Sequence, residues 1–211
     1  MKFIHVNSND INDWMEIQNS IDKKYVDWPE NREPPGLSLE YASNIFNIIN
    51  GHTIVECGTG LGREFMGGSM IYWMNKTSAQ TIYCIDLAET WINSVKNEFG
   101  NDSRIIYCLE DCLDVAPRVE SIDLIYMDFK PWPFSGNNRA EKYLTLYNLS
   151  NKPKLILIDD SDHPSPWKQT LVVPQAIEDG YYVIYVGRQT LLVRSDVYAQ
   201  NSNAFANKIV Q

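Results

Sequence analysis

Short apolar runs alternate with segments of helical periodicity from residue 53 onward. The runs are rich in Ile, Leu, Val and Tyr without a two-residue alternation, which is typical of strands covered on both faces. They cover Thr53–Cys57, Thr81–Asp86, Arg104–Leu109, Ile122–Asp128 and Lys154–Asp159. Helices of ordinary length fit the gaps, for example Thr90–Phe99 and Arg139–Leu149. Repeated strand–helix units predict a doubly wound α/β fold with a mostly parallel sheet.

Two further apolar runs near the C-terminus are joined by a very short link. Only Arg188 and Gln189 lie between these runs, which are Tyr181–Gly187 and Thr190–Ser195. Such a link permits only an antiparallel hairpin. The predicted sheet therefore has seven strands: five parallel ones, closed by a hairpin that contains one antiparallel strand.

The first fifty residues predict helices. Apolar residues follow helical spacing over Ile11–Tyr25, with Asp10 as a candidate N-cap, and Ser38 is a candidate N-cap for a second helix that ends near Ile49. We therefore divide the chain into an N-terminal helical cover (1–50), a core (51–197) and a polar, Asn-rich tail (198–211) whose sequence predicts no regular element.

Composition and charge narrow the class of partner. Hydrophobic residues make up 44% and charged residues 21% of the 211 positions, which is ordinary for a globular domain. Acidic residues exceed basic ones by 27 to 18, for a net charge of −9. Because such a surface repels phosphate, we expect no nucleic acid or membrane partner, and instead a small molecule or short peptide.

The N-terminus turns polar at Asn7–Asp10, and no apolar run approaches the roughly 20 residues of a membrane span. Four cysteines in a chain of this size do not indicate a disulfide framework. We expect a cytoplasmic protein with reduced thiols.

A glycine-rich loop follows the first strand, in the order Glu56-Cys57-Gly58-Thr59-Gly60-Leu61-Gly62. Alternate glycines allow a tight turn and a close approach of ligand to backbone, and doubly wound folds bind ligands at this end of the strands. Arg63 stands where a dinucleotide-binding motif needs its third glycine, which argues against NAD. No phosphate-loop spacing is present, which argues against an NTPase.

Acidic residues close five successive predicted strands, namely Glu56, Asp86, Asp111, Asp128 and Asp159. Each alone is explained as a solvated strand end, but five along one crevice are not. With these residues, the chain resembles class I S-adenosylmethionine-dependent methyltransferases over about Leu37–Ser195. The resemblance rests on the glycine loop, Asp86, Asp111, Asp123–Asp128 and the terminal hairpin.

This resemblance implies a Rossmann-like fold that binds S-adenosylmethionine. The glycine loop would run beside the methionine part of the cofactor, and Glu56 would help to hold the methionine amine. The acid after the second strand would bind the ribose, and the acid after the third strand the adenine amino group. The implied cofactor-binding residues are Glu56, Gly58, Thr59, Gly60, Gly62, Asp86, Leu87, Asp111, Cys112 and Asp128.

Asp128, Lys130 and the pair Asp159–Asp160 resemble the metal site of catechol-type O-methyltransferases. The resemblance implies that Asp128, Asp159 and Asp160 hold Mg²⁺ or another divalent metal, which would lower the pKa of an acceptor hydroxyl. Lys130 would remove the proton or stabilise the anion. Because Asp160 replaces an Asn of that family and adds charge, a metal-free site stays open.

Three candidate catalytic residues follow: Asp128, Lys130 and His163. His163 lies in a Pro-rich loop and is a candidate base or metal ligand, with a surface histidine as the alternative. Four tryptophans are candidate walls of the acceptor pocket, although packing explains each equally well: Trp28, Trp91, Trp132 and Trp167.

Three functions remain open at this stage. The leading one is O-methylation of a small molecule or short peptide, with or without a metal. The second is metal-independent N- or carboxyl-methylation, because Asp128–Trp132 is distantly similar to the Asp/Asn-Pro-Pro-Tyr motif of amino-methylating enzymes. The third is a non-catalytic protein that binds a cofactor or a partner. A test of metal dependence distinguishes the first function from the second, and a test of turnover distinguishes both from the third.

Overall fold

A computed structural model describes residues 8–24, 35–59, 68–130 and 136–208, and it contains a seven-stranded sheet between two layers of helices. The strands are β1 Thr53–Cys57, β2 Thr81–Ile85, β3 Ile105–Cys108, β4 Leu124–Met127, β5 Leu155–Ile158, β6 Tyr181–Val186 and β7 Thr190–Arg194. The helices are α1 Ile11–Lys24, α2 Pro35–Ile48, α3 Ser69–Lys76, α4 Glu89–Phe99, α5 Cys112–Val115, α6 Gly136–Leu149, α7 Gln169–Glu178 and α8 Ser195–Lys208.

The strand order is β3-β2-β1-β4-β5-β7-β6. All neighbouring strands are parallel except β7, which runs antiparallel to both β5 and β6. The predicted doubly wound sheet with its terminal hairpin is therefore confirmed. The order reverses between β1 and β4, so a crevice opens at their carboxyl ends, where such folds bind ligands.

Both faces of the sheet are buried, which explains why the strands lack an apolar–polar alternation. On one face, Val55 and Cys57 pack with residues of α1, α5, α6 and α7. On the other face, Ile54 packs with residues of α2, α3, α4 and α8. The two N-terminal helices thus belong to opposite layers of the core, and the assignment of residues 1–50 as a helical cover stays a prediction.

The start of α2 corrects one detail of the sequence analysis. The helix begins at Pro35, three residues before the predicted N-cap. Proline suits the first turn because its fixed φ is helical and its missing N–H would be unpaired there. Ser38 is instead buried inside α2, and its hydroxyl donates a hydrogen bond to Gln189. Asp10 does accept a hydrogen bond from the backbone N–H of Asn12, over 2.8 Å.

Helix α8 covers most of the polar tail. Val197 and Phe205 are buried in the second helical layer, and the ring of Tyr198 stacks on that of Tyr182 with centroids 4.5 Å apart. The apolar residues are too few to show a helical pattern among the Asn and Ser residues around them. No helix in the described part of the chain is long and apolar enough to cross a bilayer.

Candidate functional site

Backbone hydrogen bonds align the predicted site residues along the carboxyl edge of the sheet. Each of four residues directly follows its strand and donates its N–H to the last residue of the neighbouring strand, over 2.8–3.1 Å. These four are Gly58, Asp86, Asp128 and Asp159. Because the ladder continues one residue past the strands, these four positions lie side by side at the crevice.

Gly58 lies where the backbone leaves β1. Its φ is 87°, a left-handed value, and a Cβ at this position would lie 2.6 Å from the carbonyl oxygen of Asp128 and from Cα of Phe129. Only glycine accommodates both constraints. The other two predicted loop glycines, Gly60 and Gly62, lie outside the described residues.

Asp86 is tied to the glycine loop. Its Oδ2 accepts a hydrogen bond from the N–H of Thr59 at 3.2 Å, and its Oδ1 accepts one from the N–H of Ala88 at 2.7 Å. Burial raises the pKa of Asp86 above its usual value, although these backbone donors and the charge of Lys130 pull it down. Leu87 beside it is 64% exposed and leaves apolar surface open at this edge.

Glu56 is a fully buried carboxylate within β1. Its Oε1 accepts hydrogen bonds from the hydroxyl of Ser69 at 2.6 Å and from that of Thr59 at 3.4 Å. A buried acceptor of this kind needs donors or a cation to offset its desolvation, so it is suited to hold an amine.

Asp111 and Cys112 follow β3. The side chain of Asp111 caps α5 by accepting a hydrogen bond from the N–H of Leu113 at 2.9 Å, and Cys112 is buried in the first turn of that helix. The cap gives Asp111 a structural role. Its predicted contact with adenine stays a prediction.

The structure brings the three predicted metal ligands together. Asp128, Asp159 and Asp160 each offer a carboxylate oxygen, and these oxygens lie within 4.8 Å of one another. Asp160 has a left-handed φ of 53°, which Asp tolerates better than most residues. We call these three residues the acidic cluster.

A lysine that the sequence analysis did not single out lies within the acidic cluster. Nζ of Lys168 is 2.6 Å from Oδ1 of Asp128, 3.2 Å from Oδ2 of Asp160 and 3.9 Å from Oδ2 of Asp159. Its side chain is only 4% exposed. Burial lowers the pKa of Lys168, but the carboxylates outweigh it and hold the pKa well above its usual value. Lys168 is therefore an ammonium ion.

The link between β6 and β7 adds two more donors. Arg188 lies 3.8 Å from Oδ1 of Asp159 and 3.7 Å from Oδ1 of Asp160, measured from its Nε and Nη2. Nε2 of Gln189 donates to Oδ1 of Asp159 at 2.6 Å and lies 3.1 Å from the hydroxyl of Tyr126. Each of the three carboxylates thus has an oxygen in contact with a protein cation or donor, with Lys168 between them, and the residues as arranged do not fit a divalent metal.

His163 lies in an aromatic stack. Its ring centroid is 4.2 Å from that of Trp167, and the guanidinium carbon of Arg139 lies 4.0 Å from the same Trp167 ring. Among the described residues, His163 is not grouped with the three carboxylates. Lys130 is exposed, Trp91 is 47% exposed, and Trp28 and Trp132 lie outside the described residues.

Lys168, Arg188 and Gln189 carry no local motif, which is why sequence reasoning missed them. One signal was available for the hairpin pair. A hairpin whose antiparallel strand pairs with β5 must bring its link next to the residues that follow β5, since Ile158 pairs with Thr190. For Lys168, which meets Asp128 across 40 positions, we find no such signal.

No protein-family model matches the sequence, and no curated protein matches it. Three similar solved structures have low identity. A methyltransferase from Geobacter sulfurreducens is 15% identical, with a TM-score of 0.53 over 90% of this chain and 98% of that one. A Staphylococcus aureus protein assigned to the caffeoyl-CoA O-methyltransferases is 16% identical, with a TM-score of 0.51 over 86% and 95%. An rRNA methylase from Streptococcus thermophilus is 9% identical, with a TM-score of 0.50 over 76% and 95%.

At these identities the similarity concerns the fold. The chain has the fold of the class I S-adenosylmethionine-dependent methyltransferases, as its resemblance to that class predicts.

Proposed function

We propose that this protein transfers a methyl group from S-adenosylmethionine to a hydroxyl group of a small molecule or short peptide. The proposal rests on one contact, the hydrogen bond from the N–H of Thr59 to the carboxylate of Asp86. It joins the glycine loop to an acid at the end of the adjacent strand. A ribose diol needs such an acceptor beside a loop that a ligand can approach closely.

The described residues fit this cofactor. Gly58 lets the backbone turn out of β1 in close contact with Asp128, and the buried carboxylate of Glu56 suits the methionine amine. Asp86 suits the ribose, and exposed Leu87 offers an apolar surface for the adenine. When bound, S-adenosylmethionine supplies an electrophilic methyl group. We assign Gly60, Gly62, Asp111 and Cys112 to the same site as part of the proposal.

Asp128 and Lys168 suit the acceptor side of the reaction. Asp128 adjoins Gly58, and its side chain is 33% exposed despite the contact with Lys168, so it can accept the proton of a hydroxyl. Lys168 and Arg188 provide positive charge for the resulting oxyanion. Lys130 and His163 stay candidates for the same step. The net charge of −9 supports an acceptor other than nucleic acid.

A second candidate is metal-independent methylation of a carboxylate or an amine. The two cations at the acidic cluster favour the carboxylate, because its charge would pair with Lys168 and Arg188. The third candidate, a non-catalytic binding protein, predicts cofactor affinity without turnover.

Calorimetric titration of S-adenosylhomocysteine tests the proposal. We expect micromolar binding to the wild-type protein and a loss of about tenfold or more in Asp86→Ala, because one charged acceptor of the ribose is removed. Asp102→Ala is the matched control, since Asp102 pairs with Arg104 before β3, at the opposite edge of the sheet. Absence of binding to the wild type would refute the cofactor, and equal affinity in Asp86→Ala would refute the role of Asp86.

A further inference from the structure

We infer that the ammonium of Lys168 takes the place of a divalent cation, so that the acidic cluster is a metal-free site whose negative charge is largely offset by protein cations. The assignment of cation and carboxylates stands on the structure of the cluster alone. Its consequence, that methyl transfer needs no metal, rests on the proposed function.

The position of Nζ is the first argument. Three carboxylates surround it, with the nearest oxygens at 2.6, 3.2 and 3.9 Å. A magnesium ion requires oxygens at about 2.0–2.1 Å in a nearly regular octahedron. Ammonium and magnesium therefore compete for one space between the same oxygens, and both cannot occupy it.

The surroundings of Lys168 are the second argument, because they hold the lysine in place. Nζ lies 5.8 Å from the centroid of the Tyr143 ring, within the range of a cation–π contact. The residues before and after Lys168 in the chain are also held by hydrogen bonds. The backbone N–H of Trp167 donates to the hydroxyl of Thr170 at 2.8 Å. Nε2 of Gln169 donates to the side-chain oxygen of Gln18 in α1 at 3.1 Å and to the backbone carbonyl of His163 at 2.9 Å. With 4% of its side chain exposed, Lys168 is a built part of the cluster.

Charge is the third argument. Lys168 and Arg188 offset two of the three negative charges of the cluster, and Gln189 engages a further oxygen of Asp159. A divalent ion added to this arrangement would lie within a few ångströms of an ammonium group in a poorly solvated site, where repulsion is strong. Metal binding would require Lys168 to be expelled.

The arrangement gives Lys168 a defined role. Two of its three N–H groups donate to Asp128 and Asp160. The lysine thus fixes the orientation of Asp128 beside Gly58, which a metal would otherwise do. Lys168 is accordingly a positioning residue for Asp128.

Titration with Mn²⁺, followed by the electron paramagnetic resonance signal of the free ion, tests this inference on the full chain. We expect the wild type to leave the signal of free Mn²⁺ unchanged. Lys168→Met should bind one Mn²⁺ per chain, at least about tenfold more tightly than the wild type, because the three carboxylates then face a space that no ammonium fills. This binding should be lost again in Lys168→Met/Asp128→Ala, which removes one of the three carboxylates.

Lys154→Met is the matched control. Lys154 forms a 2.7 Å ion pair with a single buried carboxylate, that of Asp123, at the start of β4 and β5. Its removal takes an ammonium partner from one acid instead of three, so no Mn²⁺ binding is expected. Mn²⁺ binding by the wild type equal to that of Lys168→Met would overturn the inference, and so would a folded Lys168→Met that binds no Mn²⁺.

A measurement on the wild type alone keeps the inference testable if Lys168→Met does not fold. The melting temperature should be the same in Mg²⁺ and in EDTA, and an increase with Mg²⁺ would show a resident metal and overturn the inference. Failure of the proposed function would be seen separately, as absence of S-adenosylhomocysteine binding to the wild type.

Discussion

Asp128 connects the two parts of the candidate site, the glycine loop and the acidic cluster. Its backbone carbonyl packs against Gly58 of the glycine loop, and its carboxylate, part of the acidic cluster, contacts Lys168. Burial raises the pKa of Asp128 well above its usual value, while Lys168 opposes the shift. At this scale, prediction from sequence correctly placed the residues next to a strand end, since a strand carries its own signal, while their roles stay predictions. It failed for Lys168, whose contact is made through space.

Gly58→Ala tests the close approach at this residue. We expect it to destabilise the protein by about 2 kcal/mol or more beyond a simple left-handed penalty, because the added Cβ meets the backbone of Asp128 and Phe129. Urea unfolding measures the difference. Gly180→Ala is the matched control, since Gly180 has the same φ of 87° and its nearest contact is Oγ of Ser195 at 3.4 Å. Equal losses in the two variants would contradict the argument.

Two elements, the terminal hairpin and α8, show how tertiary context changed the interpretation of the C-terminal part. The hairpin was predicted, but the role of its link was not. Because β7 pairs with β5, Gln189 reaches both Asp159 and Ser38 of α2. Helix α8 was not predicted, since only a few buried residues such as Phe205 hold it against the sheet.

Phe205→Ala tests whether α8 is part of the core. The side chain is 1% exposed, and its loss leaves a cavity, so we expect a destabilisation of about 3–5 kcal/mol. Chemical denaturation measures it. Leu149→Ala, at an exposed position at the end of α6, should cost much less. A Phe205→Ala variant as stable as Leu149→Ala would mean that α8 does not pack as described.

In the whole molecule, the candidate site lies at one edge of the sheet and a structural ion pair lies at the opposite edge. There, Asp123 accepts hydrogen bonds from the N–H groups of His52 and Thr53, at 2.7 and 2.9 Å, and pairs with Lys154. Burial raises the pKa of Asp123, but Lys154 and the two N–H groups outweigh it and leave the pKa below its usual value. The anion is therefore more stable in the folded than in the unfolded chain.

Acid unfolding of Asp123→Asn tests this pair. Because the folded pKa is depressed, the stabilisation is complete above the unfolded value of about 3.9 and is lost as the pH falls through the folded value. At neutral pH we expect the variant to be less stable by about 1–3 kcal/mol. Denaturation at several pH values should show this gap closing below about pH 4. A gap independent of pH would contradict the role assigned to the anion.

The sequence by itself determined the sheet, its hairpin and most of the acids at its edge. These follow from apolar runs and from residues directly beyond them, which are local features of a chain that buries both faces of its strands. Only the tertiary structure decided that α2 begins at Pro35, that the tail is a helix, and that Lys168 and Arg188 join the acidic cluster. The reason is physical: charge balance in a buried site depends on distances between side chains far apart in sequence, and such distances exist only once the layers have packed.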